Sequence, residues 1–374
     1  MHILADANFA HAETLFSEFG ELTLFTGRQP SEQLLATADA LLIRSTTQVD
    51  QALISQAPKL GFVGSATIGV DHVDQALLND REICFSSAPG CNANAVKEYV
   101  LSVLSLWQHE ANELLTGRSI AIIGCGHVGS KVAQACEALG LEVRVVDPFK
   151  SQLPWPQVEF EQALSSDILS FHTPLTRSGE HPTHHLFDAK AMAEFSGQLV
   201  INSGRGAVID HQALLASLGQ VSWKIALDVW ENEPNISPTV LDKCWLATPH
   251  IAGYSMEGKV NGSWQAFQAF CKWRGIKSHQ SPASLLPPLK LSMASGRELL
   301  AACYQPRHDD ANLRDYDQAS DRAMSDHFDT LRRTYPFRRE VKTWLTQQAE
   351  QGHTSLQAVQ KAAEQDLWLK ALLR

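Results

Sequence analysis

Three side chains in the sequence, an imidazole, a carboxylate and a guanidinium, have the chemical types that could exchange a proton and bind an anionic substrate. His250, in Thr248-Pro249-His250, carries an imidazole, a group that titrates near neutral pH and can therefore exchange a hydroxyl proton. Glu233, in Glu231-Asn232-Glu233-Pro234, could hold that imidazole and favour its protonated form. Arg205 is permanently charged and can bind a carboxylate through two parallel hydrogen bonds. Taken one at a time, however, each of these residues is also typical of an ordinary polar loop.

A glycine-rich segment, Gly124-Cys125-Gly126-His127-Val128-Gly129, follows an apolar run and begins a helical pattern. In this G-x-G-x-x-G spacing the first glycine permits a tight turn, the second lets the backbone approach a pyrophosphate, and the third lets helix and strand pack closely. The helix N-terminus then offers free N–H groups to the phosphates. Asp147, at the end of the next apolar run, can accept hydrogen bonds from a ribose diol and would repel a 2′-phosphate. The segment therefore predicts an NAD site, with NAD preferred over NADP. The alternative is a glycine turn beside a surface aspartate.

Polar side chains also follow several later apolar runs, at the point where each predicted strand ends. These positions are Thr173, Ser203-Gly204-Arg205, Asp228 and His250. Ligands of open parallel sheets bind beside the carboxyl ends of the strands. The sequence therefore predicts that these groups line one edge of a sheet, next to the glycine-rich turn.

The segments that must position these residues alternate between strand-like and helical patterns, which is typical of parallel α/β architecture. Early in the chain, Ala40–Ile43, Leu60–Val63 and Ile83–Phe85 are predicted to form buried strands. Asn94 is predicted to cap a long helix that carries the chain out of the first domain. The last part of the chain has mainly helical patterns.

We predict two Rossmann-like or flavodoxin-like parallel-sheet domains followed by a mainly helical C-terminal domain. Residues 1–93 with 256–284 would form a substrate-binding domain, residues 94–255 an NAD-binding Rossmann domain, and residues 285–374 the C-terminal domain. The length of 374 residues favours several domains, since single cores stop growing at about 250–300 residues.

The composition argues against several other classes of protein. With 31 Lys and Arg against 41 Asp and Glu, the net charge is −10, which disfavours general nucleic-acid binding. The seven cysteines include no C-x-x-C pair, so neither a disulfide framework nor a structural zinc site is indicated. The apolar segments are shorter than the roughly 20 residues that a membrane helix needs, and the N-terminus lacks the pattern of a signal peptide. We therefore expect a soluble, cytoplasmic protein.

One histidine cluster could suggest a metal site. His181, His184 and His185 have spacings that metal ligands often have, but Pro182 disfavours a regular helix through the cluster. Hydride transfer to NAD needs no metal. We predict a loop without a metal ion.

Three further segments resemble the signatures of the D-isomer-specific 2-hydroxyacid dehydrogenases, in that family's order and after its dinucleotide turn. They are Asn202–Gly206, Ala226–Pro234 and Thr248–Gly253. The resemblance implies NAD-dependent oxidation of a 2-hydroxy acid, with Arg205, Glu233 and His250 as catalytic residues and His250 as the proton donor or acceptor. It also implies cofactor contacts from a wider set of residues, namely Asp147, Thr173, Ser203, Gly204, Arg205, Asp228 and Gly253.

Loops in the first part of the chain are similar to the substrate loops of the same family. By this resemblance Ser45 and Thr67 could contact substrate oxygens. Tyr254 replaces a more usual glycine or alanine and could donate a phenolic hydrogen bond. These details and the C-terminal extension narrow the resemblance to a member that oxidises a phosphorylated four-carbon 2-hydroxy acid in vitamin B6 synthesis. The same resemblance implies a homodimer formed through the C-terminal region.

A phosphorylated substrate needs cations, and Arg44 is the first candidate. A second hypothesis is that Arg338 or Arg339 reaches the site from the partner subunit, because both lie close in sequence to Arg332 and Arg333. A solvated basic face or a salt bridge in the dimer would explain these arginines equally well.

Two other functions stay open. One is oxidation of D-3-phosphoglycerate or another D-2-hydroxy acid, although the helical C-terminus argues against the regulatory βαββαβ module often attached to phosphoglycerate dehydrogenase. The other is an NAD(H)-sensing binding protein similar to a transcriptional corepressor of the same fold. The complete set of Arg205, Glu233 and His250, with the acidic net charge, favours an enzyme, whereas the fold alone would not decide.

Overall fold

The computed structural model describes residues 1–112, 114–217, 219, 221–277, 281–287, 294–316, 323–336, 338–350 and 356–374. The chain divides into two compact units. The first comprises Met1–Asn92 with Ser255–Leu289, and the second comprises Ala93–Tyr254 with Lys290–Arg374. Residues from 290 onwards thus cluster with the second unit, and the separate C-terminal domain beginning at residue 285 stays a prediction.

The first unit contains a five-stranded parallel sheet with the strand order β2-β1-β3-β4-β5. Its strands, numbered along the chain, are β1 (His2–Asp6), β2 (Glu21–Phe25), β3 (Ala40–Ile43), β4 (Phe62–Ser65) and β5 (Cys84–Ser86). Its helices are α1 (Ala12–Phe16), α2 (Glu32–Leu35), α3 (Gln51–Ser55), α4 (Gln75–Asp80) and α11 (Met256–Arg274), with 3-10 turns at Ser17–Phe19 and Pro282–Leu285.

Helix α11 closes one face of this sheet with aromatic side chains. The rings of Phe267 and Phe270 meet the ring of Phe16 edge-on, at centroid distances of 5.2 and 5.3 Å. Phe62 of β4 meets Phe270 at 5.7 Å. All four rings are fully buried. The segment after residue 254 therefore completes the core that the N-terminal strands begin.

The second unit contains a six-stranded parallel sheet with the strand order β11-β10-β9-β8-β6-β7. Its strands are β6 (Ser119–Ile123), β7 (Glu142–Val146), β8 (Ile168–Phe171), β9 (Leu199–Asn202), β10 (Lys224–Leu227) and β11 (Leu246–Ala247). The direction of winding reverses between β6 and β8. In sheets of this kind ligands bind at such a reversal, outside the carboxyl ends of the strands.

Helices cover both faces of the second sheet, so its central strands are buried along their whole length. Every residue of β8 and of β9 is buried, which explains why both strands are mainly apolar and do not alternate between apolar and polar residues. The surrounding helices are α5 (Ala93–Ala111), α6 (His127–Ala138), α7 (Phe160–Ala163), α8 (Ala189–Glu194), α9 (His211–Ser217) and α10 (Pro238–Lys243), with a 3-10 turn at Gly206–Val208.

The described residues after 290 are helical where they have regular structure. The helices are α12 (Gly296–Cys303), α13 (Pro306–Arg314), α14 (Ala323–Arg333), α15 (Val341–Glu350), α16 (Leu356–Gln365) and α17 (Leu367–Leu373). The predicted fold class, two parallel-sheet α/β units with a mainly helical C-terminal region, is confirmed. Among the described residues, none of the helices has the length and apolar composition that crossing a bilayer requires.

Helix α5 holds the C-terminal region through buried polar groups. The carboxylate of Glu98 accepts the backbone N–H groups of Val341 and Lys342, at 3.0 and 3.2 Å, at the start of α15. The ammonium of Lys97 donates to the carbonyl of Leu372 at 2.7 Å. Removing either side chain would leave a buried donor or acceptor without a partner, at a cost of about 1–3 kcal/mol.

The predicted role of Asn94 as the cap of this helix is wrong. Helix α5 begins one residue earlier, at Ala93. The side-chain amide of Asn94 instead donates to Glu340 at 2.8 Å and to Glu98 at 3.3 Å. Its polar group therefore joins the network that holds the C-terminal region.

Candidate active site

His250 and Glu233 form a short hydrogen-bonded pair at the carboxyl edge of the second sheet. His250 follows β11, and Glu233 lies in the loop that follows β10. Nδ1 of His250 lies 2.6 Å from Oε2 of Glu233. The other carboxylate oxygen of Glu233 accepts the backbone N–H of Trp230 at 2.8 Å. The carboxylate is therefore fixed at both oxygens, and Nε2 is the ring nitrogen that remains for proton exchange.

The electrostatics of Glu233 favour a charged carboxylate. Burial opposes its ionisation, but the charge of His250, the hydrogen bonds from His250 and the Trp230 N–H, and the charge of Arg332 together outweigh burial. The net effect is that the pKa of Glu233 lies below its ordinary value. A carboxylate beside Nδ1 stabilises the protonated imidazole.

Asp228 fixes the loop that carries His250. The hydroxyl of Thr248 and the N–H of Ile251 donate to Oδ1 of Asp228, at 2.7 and 2.8 Å, and the N–H of Ala252 donates to Oδ2 at 2.9 Å. Burial raises the pKa of this carboxyl despite these bonds. The network holds His250 at a left-handed backbone φ of 55°, which costs a non-glycine residue on the order of 1 kcal/mol. The contact of Asp228 with the cofactor stays a prediction.

Arg205 follows β9 in a loop that Asn202 shapes. The side chain of Asn202 accepts the N–H of Gly204 at 3.0 Å and donates to the carbonyl of Arg205 at 3.1 Å. The next residue is Gly206, and a Cβ there would lie 1.9 Å from the carbonyl carbon of Trp230. Only glycine therefore lets this loop pack directly on the segment after β10.

A pocket of about 280 Å³ brings the three predicted catalytic residues together. Arg205, Glu233 and His250 all line it, and Trp230 and Arg177 form other parts of its wall. These side chains come from the carboxyl ends of β9, β10 and β11, which are adjacent in the sheet. A guanidinium, a carboxylate and an imidazole thus share one cavity, although the sequence separates them.

The glycine-rich turn has the geometry that its spacing requires. Gly124 has a φ of 87°, and a Cβ there would lie 2.9 Å from Cγ2 of Thr173. A Cβ on Gly129, in the first turn of α6, would lie 2.0 Å from the carbonyl oxygen of Gly124. Gly126, in contrast, faces space in which no atom lies within 4 Å of the position of a Cβ. The turn therefore offers an open approach to the start of α6, where His127 and Val128 begin the helix.

Two further observations show that these residues fit a dinucleotide. Asp147, at the end of β7, accepts the N–H of Cys125 at 2.9 Å and of Phe149 at 3.1 Å, which places its carboxylate beside the glycine turn. In the part of the chain that the structure describes, the buried hydroxyl of Thr173 has no hydrogen-bond partner. A buried hydroxyl without a partner is unfavourable unless a ligand satisfies it.

Sequence reasoning missed His172, which lies between Thr173 and the end of β8. Its Nε2 lies 2.9 Å from the hydroxyl of Ser170, and its Nδ1 lies 3.2 Å from the hydroxyl of Ser203. Burial lowers the pKa of His172 to about 3, so the ring is neutral at physiological pH. It therefore positions Ser203, one of the predicted cofactor residues. The available signal was its place at a strand end next to Thr173.

Three of the four predicted substrate residues lie in the first unit. Arg44 and Ser45 follow β3, and Thr67 lies just after β4. The hydroxyl of Thr67 lies 2.8 Å from that of Ser65. The guanidinium of Arg44 lies 3.2 Å from the buried carboxylate of Asp6. Arg44 therefore already has a counter-ion within its own unit.

The fourth, Tyr254, lies in the second unit after the His250 loop, next to the predicted cofactor residue Gly253. Its ring meets that of Tyr335 edge-on at 5.7 Å.

The hypothesis that Arg338 reaches the substrate of a partner subunit is wrong, because the side chain is enclosed by its own subunit. Its guanidinium lies 4.3 Å from the ring centroid of Tyr304 and donates to the carbonyls of Ala252 at 2.5 Å and Ala95 at 3.4 Å. Arg338 and Arg339 are each only 7% exposed, so they do not form a solvated basic face either.

The histidine cluster lies in a loop beside the pocket. Nε2 of His185 lies 2.6 Å from Glu231, and its Nδ1 lies 3.5 Å from Asp210. His184 stacks on His185 at 3.9 Å, whereas His181 meets the ring of Phe149 at 5.6 Å. Potential ligand atoms of His184, His185 and Glu231 lie within 4.8 Å of one another. That this loop holds no metal ion stays a prediction.

Comparisons with known proteins agree with this geometry. Residues 96–252 match the family profile "D-isomer specific 2-hydroxyacid dehydrogenase, NAD binding domain", and residues 289–361 match a domain of unknown function. The erythronate-4-phosphate dehydrogenase of Marinobacter nauticus is 41% identical over 93% of this chain and 94% of its own. The enzyme of that name from Aeromonas hydrophila is 43% identical over 92% of this chain and 94% of its own.

Solved structures show the same fold. NAD⁺-bound 3-phosphoglycerate dehydrogenase of Entamoeba histolytica superposes with a TM-score of 0.64 at 22% identity, covering 74% of this chain and 95% of that chain. D-Lactate dehydrogenase of Aquifex aeolicus, in complex with NAD and lactic acid, gives a TM-score of 0.61 at 19% identity and covers 74% and 96%.

The fold, the site and the family profile together define an oxidoreductase of the 2-hydroxyacid dehydrogenase class, with NAD as its cofactor. Within that class, the chain belongs to the erythronate-4-phosphate dehydrogenase family.

Proposed function

We propose that this protein oxidises 4-phospho-D-erythronate to 3-hydroxy-2-oxo-4-phosphooxybutanoate with NAD, a step in pyridoxal phosphate (vitamin B6) biosynthesis. The observation that carries the proposal is the 2.6 Å contact between His250 and Glu233, in a pocket that Arg205 also lines. This arrangement supplies a base, its charged partner and a carboxylate-binding cation in one cavity. The names of the curated relatives support the choice of substrate.

The mechanism follows from these three side chains. The imidazole of His250 accepts the proton of the C2 hydroxyl, and the carboxylate of Glu233 stabilises the imidazolium that forms. Arg205 holds the substrate carboxylate and polarises the developing C2 carbonyl. NAD, held by the glycine turn and Asp147, would supply the hydride acceptor for C2. In the reverse direction His250 returns the proton to the carbonyl oxygen.

We also propose the residues that hold the two ligands. The cofactor would be bound by the glycine turn, by Asp147 and by the strand-end residues Thr173, Ser203–Arg205, Asp228 and Gly253. The carboxylate of Asp147 favours NAD over NADP, because a 2′-phosphate beside it would be repelled. Ser45, Thr67, Arg44 and Tyr254 stay candidates for binding the substrate.

Initial rates of NADH formation test the proposal. The purified protein should oxidise 4-phospho-D-erythronate with a kcat/KM at least tenfold higher than that for D-3-phosphoglycerate or D-lactate. A preference for D-3-phosphoglycerate would identify a different dehydrogenase. Tight NADH binding without turnover of any of these acids would identify a sensor.

We further propose that the protein is a homodimer formed through its C-terminal region. Two exposed leucines support this proposal, because large apolar side chains in contact with water often mark an interface. Leu114 is 74% exposed and Leu367 is 42% exposed, and both line one groove of the second unit together with Trp368. The cytoplasmic location stays a prediction.

A further inference from the structure

Helix α14 of the C-terminal region is packed against the core of the unit that carries the catalytic residues. Phe328 and Met324 of this helix are buried in the same hydrophobic cluster as Trp230, which follows β10 and whose N–H binds Glu233. Side chains four residues apart lie on the same face of a helix. Arg332 is four residues after Phe328, so the packing of Phe328 also directs Arg332 towards this core.

Two aromatic rings hold the guanidinium of Arg332. It lies 5.7 Å from the ring centroid of Tyr254, four residues after His250, and 5.8 Å from that of Phe328. In the part of the chain that the structure describes, its Nε is buried and has no hydrogen-bond partner. A buried donor of this kind is unfavourable until a ligand accepts from it.

The positive charge of Arg332 acts on the catalytic pair of Glu233 and His250. It contributes to lowering the pKa of Glu233, which binds His250. Its contact with the ring of Tyr254 places Arg332 beside the segment that follows the catalytic histidine.

Three of the other candidate cations are already engaged, whereas Arg177, in the wall of the catalytic pocket, is the competing candidate. Arg44 lies 3.2 Å from the buried carboxylate of Asp6. Arg338 donates to two backbone carbonyls in the interior. Arg205 is assigned to the substrate carboxylate by the proposed mechanism. The phosphate lies at the opposite end of a four-carbon acid from the carboxylate, so a cation other than Arg205 must bind it.

We propose that Arg332 binds the phosphate group of the substrate within its own subunit, an inference that rests on the proposed function. The planar guanidinium can offer two parallel N–H donors to two phosphate oxygens. The C-terminal helices would thus supply the group that selects a phosphorylated acid, whereas the sheet supplies the groups that oxidise it.

Steady-state kinetics of the full-length enzyme with two substrates test this role. Arg332→Gln should raise KM for 4-phospho-D-erythronate by roughly 10- to 100-fold, as expected for loss of a charge-assisted hydrogen bond. The same variant should lower kcat/KM for D-erythronate, which has no phosphate, at least tenfold less than it lowers kcat/KM for the phosphorylated acid. Arg332→Lys should recover part of the affinity. Arg333→Gln is the matched control, because Arg333 donates only to Thr330 of its own helix among the hydrogen bonds seen here.

Fluorescence titration with NADH shows whether the variant retains its folded cofactor site. An unchanged KM for the phosphorylated substrate would overturn the proposal. An equal loss with both substrates, or a phosphate-specific loss in Arg177→Gln but not in Arg332→Gln, would overturn it as well. If the wild-type enzyme does not oxidise 4-phospho-D-erythronate, the proposed function fails instead, so the two failures are distinguishable.

Discussion

The catalytic side chains depend on other polar groups that fix their positions. His250 has its backbone fixed by the Asp228 network and its ring fixed by Glu233, which is itself fixed by the N–H of Trp230. The contacts of Asp228 and Glu233 with the His250 loop join the ends of β10 and β11, whereas Trp230 and Glu233 lie in the same loop after β10. A polar group held on several sides does not need to reorganise when charge develops in the transition state.

Replacing Glu233 by glutamine should lower kcat on the order of 100-fold, because the amide keeps the shape of the side chain but cannot stabilise the imidazolium. The Kd for NADH, measured by fluorescence titration, should change little. Turnover should be measured both as oxidation and as reduction, since His250 must be protonated to donate in the second direction.

Glu194→Gln provides the matched control for this substitution, since Glu194 is an exposed carboxylate in a 3.9 Å pair with Lys190. A kcat for Glu233→Gln within twofold of that for Glu194→Gln would show that the carboxylate has no catalytic role.

At the scale of strands and helices, the apolar runs were sufficient to locate most elements. β3 spans Ala40–Ile43, as its uninterrupted run of buried side chains predicts. β4 begins at Phe62 rather than at Leu60, because the N–H of Leu60 bonds back to Ala57 in the preceding turn. Turn hydrogen bonds of this kind do not appear in a hydropathy pattern, so boundaries shift by a few residues while the elements themselves are recovered.

The same apolar runs allowed only part of the candidate site to be predicted. Arg205, Glu233 and His250 each follow an apolar run, and the carboxyl ends of parallel strands converge. Arg332 and Arg338, in contrast, meet the catalytic loops only after the C-terminal helices pack on the sheet. Their local sequence contains two arginine pairs, a pattern that a solvated surface or a salt bridge in a dimer explains as well as a role in the site.

A histidine at the end of β8 predicts how the free energy of unfolding depends on pH. His172 bridges the end of β8 to Ser203 after β9, and its folded-state pKa of about 3 lies below the ordinary value of 6.5. Because the unfolded chain binds the proton more readily, this group's contribution to stability is full above pH 6.5 and is lost as the pH falls towards 3. The loss should be roughly 1.4 kcal/mol per pH unit.

Urea unfolding at pH 6.5 and pH 5 checks this prediction. The free energy of unfolding of the wild type should fall by about 2 kcal/mol more than that of His172→Gln over this interval. His308→Gln is the control, because His308 is exposed on α13 and should retain the wild-type pH dependence. Parallel pH dependences for wild type and His172→Gln would contradict the prediction.

At the scale of the whole molecule, the structure adds a helical region to a common dehydrogenase fold. The solved dehydrogenases that share the fold cover 74% of this chain. Much of the region after residue 289 corresponds instead to a separate family profile. Its contacts with α5 and with the His250 loop use buried charged groups. The described part of this region is therefore held within the second unit by specific interactions.

The proposed homodimer gives a prediction at this scale. Leu367→Glu places a charge in the exposed apolar groove that Leu114 and Trp368 also line, and it should convert the dimer into monomers in sedimentation-velocity experiments. Leu24→Glu is the control, because Leu24 is similarly exposed, at 41%, but lies in the first unit. A monomeric wild type, or a dimer unaffected by Leu367→Glu, would refute the proposed interface.

The buried guanidinium of Arg338 has a consequence for any attempt to shorten this enzyme. It donates to the carbonyl of Ala252, two residues beyond the catalytic histidine, and to that of Ala95 inside α5. Shortening the chain to the length of its shorter structural relatives would remove this donor from both carbonyls. It would also expose Tyr99, whose ring packs against that of Tyr304. A minimal version would therefore need compensating substitutions beneath the proton-transfer loop, and transplanting that loop alone into another dehydrogenase would not preserve its shape.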